Sequence, residues 1–71
     1  MTPARAKQIL REVWGQARIL SAKEAAEVEA VEKPHENCID TLCRVAGLPP
    51  WNPKTHPPFS DKAREYFSAI V

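Results

Sequence analysis

Five of the eleven residues in LPPWNPKTHPP, Leu48 to Pro58, are proline. Each proline removes a backbone donor and clashes with the preceding helical turn, so neither a regular helix nor an interior strand can run through this stretch. A polyproline II course is expected there. The whole chain has 71 residues. One domain at most fits in that length, and such a domain buries only about 60% of its unfolded surface. Everything outside the proline segment must therefore make local structure efficiently.

The remaining sequence reads as helices. Thr2 is a good N-cap and Pro3 suits the first helical position. At about 100° per residue, Ala6, Ile9, Leu10, Val13, Trp14, Ala17 and Leu20 share one apolar face, which predicts a first helix over about residues 3–20. Gly15 falls on the opposite side and weakens the helix by about 1 kcal/mol relative to alanine. Ser21 and Glu24 form a capping box that opens a second helix, about 22–33, ended by Pro34. Its apolar content is thin: Ala25, Val28 and Val31 make one stripe, and Ala22, Ala26 and Ala30 a nearly opposite one. The pattern leaves open which of the two is buried. Glu29 and Lys33 are spaced as a favourable i,i+4 pair.

A third helix over 38–46 has Asn37 as N-cap and Gly47 as its C-terminal stop. Ile39, Leu42, Cys43 and Ala46 form its central face, with Cys38 and Val45 at the edge. A fourth helix, about 61–70, follows Ser60 as N-cap and carries Ala63, Tyr66, Phe67 and Ile70 on one face. No alternating β pattern and no internal repeat occurs. The expected fold is all-α: one small domain over residues 1–71, with a bundle of three helices, a proline-rich crossover over 48–58 and a short fourth helix. About 60% of residues should be helical and none in strand.

Charge is unevenly distributed. Residues 1–23 carry Arg5, Lys7, Arg11, Arg18 and Lys23 against Glu12, a net of +4. Residues 24–40 carry Glu24, Glu27, Glu29, Glu32, Glu36 and Asp40 against Lys33, a net of −5. A basic helix followed by an acidic one reads first as two helices that attract each other. The overall charge of +1 argues against a nonspecific polyanion binder. No apolar run approaches the roughly 18 residues of a transmembrane helix, so no membrane association is expected. The N-terminal MTPARAKQIL lacks a signal-peptide core. Two cysteines without such a signal fit a reducing, cytoplasmic setting.

His35, Cys38, Cys43 and His56 are ligand types suited to tetrahedral zinc, and a small zinc-binding module is one alternative reading. The spacing opposes it. On a helix, Cys38 and Cys43 point about 140° apart. Their Cα atoms would lie roughly 8–9 Å apart by helix dimensions, beyond the reach of about 7 Å that a disulfide needs. Cys43 reads as a small core residue and Cys38 as a half-exposed thiol. No cofactor or metal is expected. No nucleophile, base and acid are brought together by spacing, so no enzyme activity is expected either.

Two surfaces remain as candidates for binding. Lys7, Arg11 and Arg18 lie along one flank of the first helix, with Trp14 at its rim and partly exposed. Such a basic stripe suits an acidic protein groove or phosphates; its competing role is to pair with the glutamates of the second helix. Trp51, in PPWNPK, is held by prolines and could anchor a partner at little entropic cost; its competing role is to fold back with Leu48 as a lid over the core. A dimeric nucleic-acid-associated regulator is a further alternative. A helix-turn-helix reading is poor, because VEKPHEN is no tight turn and the third helix has a single arginine.

TPARAKQIL at the start, LSAKEAAEVEAV from Leu20 and CIDTLCRVAG from Cys38 together resemble small helical accessory proteins encoded by temperate phages and prophages, over about residues 2–47. Glu32 departs from the pattern, standing where an aromatic residue is expected. The resemblance implies an accessory protein that binds a bacterial host protein and inhibits or redirects it, for example in CRISPR or restriction defence. It carries no site residues and leaves a homodimer open.

Overall fold

The computed structural model describes residues 1–49 and 61–70. Four helices occur in chain order: α1 Pro3–Val13, α2 Ala22–Glu29, α3 Cys38–Ala46 and α4 Asp61–Ser68. They make up 61% of the described residues, which contain no strand, so the fold is all-α as expected.

The helix starts follow local chemistry. Thr2 Oγ1 accepts from the Arg5 amide at 3.2 Å, with Pro3 in the first turn. Ser21 Oγ accepts from the Glu24 amide at 3.2 Å, and Glu24 Oε1 accepts from the Ser21 amide at 3.0 Å, closing the capping box. Asn37 Oδ1 accepts from the Asp40 amide at 2.8 Å, and Gly47 ends α3 at φ 76°, in the left-handed region that glycine adopts freely. Ser60, the expected cap of α4, lies outside the described residues, as does most of the proline segment.

Three helices end earlier than periodicity predicts. α1 stops at Val13, not near residue 20. The chain then tightens into a turn in which the Arg18 amide donates to the Val13 carbonyl at 2.8 Å and Ala17 takes φ 54°. That is the six-to-one closure of a Schellman turn with alanine in the glycine position. Ala17, expected in the core, is exposed, and Leu20 only packs against the core from its edge. The reason lies at Gly15. A Cβ there would meet the Ser68 amide nitrogen at 2.8 Å and its Cα at 2.9 Å, and would also collide with the Arg11 carbonyl. Gly15 is therefore a close-approach point between the end of α1 and the end of α4.

α2 ends at Glu29, so Lys33 lies beyond it and the expected Glu29–Lys33 pair is not among the ion pairs of the described residues. Lys33, Pro34, His35 and Glu36 instead form a β-turn, closed by the Glu36 amide on the Lys33 carbonyl at 3.1 Å, with His35 at φ 71°. Proline followed by a positive φ is the type II pattern. α4 stops at Ser68, two residues before the expected end.

The core forms where α1, α3 and α4 meet. Thirteen apolar side chains are buried among the described residues: Ala6, Ile9, Leu10, Val13 and Trp14 on or just after α1, Ile39, Leu42, Cys43 and Ala46 on α3, Ala63, Phe67 and Ile70 on or just after α4, and Val28 alone from α2. α1 packs chiefly on α3. All four residues read as the central face of α3 are inside, with Cys38 and Val45 at the edge. Thr41 is also fully buried; its hydroxyl donates to the Asn37 carbonyl at 3.0 Å, which satisfies it within the helix. On α2 the Val28 stripe faces inward, while Ala22, Ala26 and Ala30 are exposed.

Candidate binding surface

The basic flank of the first helix does not survive as one surface. Arg18 forks onto Glu24, with Nη1 at 2.8 Å from Oε1 and Nη2 at 2.7 Å from Oε2, and lies 3.7 Å from Glu12. Arg11 turns the other way, and its Nη1 donates to the Ile70 carbonyl at 3.1 Å. This bond ties α1 to the residues just after α4. Trp14, expected at an exposed rim, is 5% exposed and packs its ring 6.3 Å from that of Phe67. The physical reason is the shortened α1: once the helix ends at Val13, Trp14 covers the close contact between α1 and α4. Trp51 lies outside the described residues.

A fourth cation belongs with Arg18. Arg5 Nε and Nη2 donate to the two carboxylate oxygens of Glu27 at 3.3 and 2.8 Å. Arg5 sits in the first turn of α1 and Glu27 in the last turn of α2, while Arg18 follows α1 and Glu24 opens α2. The two forks thus run α2 antiparallel to α1. Arg44 makes a third junction: its Nε donates to Glu36 Oε2 at 2.8 Å and its Nη2 to the Val31 carbonyl at 2.6 Å, which ties α3 to the connection after α2.

These partners shift the carboxylates. The Arg18 fork, helped by the Ser21 amide, holds the Glu24 carboxyl at about 2, and the Arg44 fork with the Lys33 amide holds Glu36 at about 2. Arg5 lowers Glu27 in the same way. Burial raises the Cys38 thiol, and Glu32 and Glu29 push it further up, so it is a poor thiolate.

Among the described residues no three histidine, cysteine or acidic side chains are grouped to hold a metal. Cys43 is buried, Cys38 is half-buried, and no disulfide joins them. His35 is exposed in its turn, and His56 lies outside the described residues.

One of the clefts among the described residues, of about 370 Å³, is lined by Lys7, Leu48, Tyr66, Ala69 and Ile70 and has an aromatic side chain in its wall. Leu48 packs partly on the core, as the lid reading expected of it. Tyr66, expected on the apolar face of the fourth helix, is 40% exposed, with its ring edge-on to Phe67 at 5.1 Å. The cleft joins residues from α1, the end of α3 and α4, so no local pattern could have announced it. Arg5 was legible only as part of the basic half of the chain. No helix among the described residues is long and apolar enough to cross a membrane. Against known protein families, curated proteins and solved structures, the chain shows no match.

Proposed function

We propose that the chain is a small non-catalytic protein-binding module, a phage or prophage accessory protein that binds and inhibits or redirects a bacterial host protein. One observation carries the reading: the arginines of the basic half are committed within the fold. Arg5 and Arg18 are forked onto Glu27 and Glu24, and Arg11 is bound to a backbone carbonyl. In residues 1–23 that leaves the lysines Lys7 and Lys23 outside the ion pairs of the described residues, whereas the Tyr66–Leu48 cleft with Lys7 at its edge has the aromatic centre and polar rim of a protein contact. A dimeric nucleic-acid regulator would need those same arginines released.

The test is capture of a host protein from lysate by the tagged full chain, compared with Tyr66→Glu and Lys7→Glu. The cleft reading expects Tyr66→Glu to lose the target while the far-UV helical signal stays. Unchanged capture by Tyr66→Glu would remove the cleft from the account, and salt-sensitive retention on DNA in place of a protein would overturn the class.

A further inference from the structure

α2 is attached to this molecule differently from the other helices. It has eight residues, too few for a stable helix in isolation. It gives the core a single buried apolar side chain, Val28. Two arginine forks hold it, Arg5 on Glu27 and Arg18 on Glu24, with donor–acceptor distances from 2.7 to 3.3 Å. It also packs on α3, and Arg44 of α3 holds the Val31 carbonyl just beyond its end at 2.6 Å. The connections on either side each contain a non-glycine residue in the left-handed region, Ala17 at φ 54° and His35 at φ 71°. Such backbone is strained for a residue that carries a Cβ.

We propose that α2 is a displaceable internal ligand, and that the surface beneath it binds an acidic amphipathic helix of a partner protein. Removing α2 bares the patch of core that Val28 covers and takes from Arg5 and Arg18, at its two ends, their forked partners Glu27 and Glu24, leaving Arg5 with Gln8 and Arg18 with Glu12 at 3.7 Å. A helix fits that site if it presents two carboxylates three residues apart and an aliphatic side chain directly after the second. Glu24, Glu27 and Val28 have that arrangement. The forked geometry favours a carboxylate over a point acceptor, and the apolar patch requires a side chain that nucleic acid does not carry. The proposal rests on the protein-binding reading above but uses a different surface from the Tyr66 cleft. Lost capture by Tyr66→Glu would therefore leave it standing.

The experiment is an NMR titration of the isotope-labelled full chain with a synthetic peptide matching residues 20–33. Because the internal helix competes, apparent affinity for the wild-type chain is reduced by the closed fraction. The E24Q/E27Q chain should bind the peptide at least about tenfold more tightly than wild type, since its internal competitor is weakened. A peptide with glutamine at both positions should bind at least about tenfold more weakly than the acidic one. If the double variant loses its helical signal, E27Q alone serves as the weakened chain. Equal binding of the two peptides, no gain in the weakened chain, or no binding to a folded variant overturns the proposal. Sedimentation that shows a concentration-dependent dimer with the same shifts and no peptide would assign the site to a second copy, which also overturns it.

Discussion

α2 and α3 begin in the same way and are held in opposite ways. Each has a polar N-cap whose side chain takes the amide three residues on. α3 then buries Ile39, Leu42, Cys43 and Ala46 in the core, while α2 adds a single buried apolar side chain, Val28, beside the buried Glu24 carboxylate that Arg18 forks. The difference shows that helix-forming grammar and attachment to a fold are separate properties. Capping decides where a helix starts. The apolar stripe decides whether leaving the fold is costly, and a charged junction is sensitive to salt and pH where an apolar one is not.

The sharpest contrast should come from truncating one buried side chain in each region. Leu42→Ala, in the fully buried face of α3, should cost about 3 kcal/mol and lower the stability of the whole domain in denaturant melts. Val28→Ala should cost about 1.5 kcal/mol by the methylene count, and the loss should appear first in α2 signals. Comparable global losses from both would erase the distinction. Gly15→Ala tests the other side of the core. Its Cβ has no room against the Ser68 backbone, so α4 must shift, at about 1–3 kcal/mol.

Acid should act on α2 before it acts on the core. The Glu24 carboxyl is held at about 2, below its ordinary value of 4.5. Its contribution is thus fully present above about 4.5 and is lost as pH falls through about 2. Glu36 titrates in the same direction and window, so the connection after α2 should loosen with it. Chemical shifts of residues 22–36 should move in that interval while those of Leu10 and Leu42 stay. Glu24→Gln should remove the Glu24 part of the α2 response and leave that of Glu27, which Arg5 also lowers.

The smallest effect should be a gain. Ala17→Gly relieves a positive φ and should stabilise the domain by about 0.5–1 kcal/mol in thermal melts. If the gain is absent, the turn after α1 is not strained.

How much of this was legible in the sequence follows the same division. Thr2, Ser21, Asn37 and Gly47 are local signals, and each acts where it was read. The α3 face was legible because four apolar residues recur at helical spacing with nothing to interrupt them. The end of α1 was not. Its apolar spacing continues to Leu20, and only the approach of Ser68 from a distant part of the chain makes Gly15 a contact rather than a defect. Trp14 and Tyr66 exchanged their expected places for that reason, since burial of an amphipathic helix edge depends on where its neighbour lies. The charge asymmetry between residues 1–23 and 24–40 foretold attraction between two helices, but not that Arg5 and Arg18 would make the forks while Arg11 would turn to Ile70.

Residue-resolved amide exchange on the native full chain, at low and at high salt, tests the central division directly. The account predicts that interior amides of α1 and α3 exchange only with global unfolding and at rates little changed by salt. Amides of α2 should exchange by a separate local opening, at lower free energy, and should speed up several-fold as salt screens the Arg5 and Arg18 forks. Uniform protection across α1, α2 and α3, with no added salt dependence in α2, would contradict it.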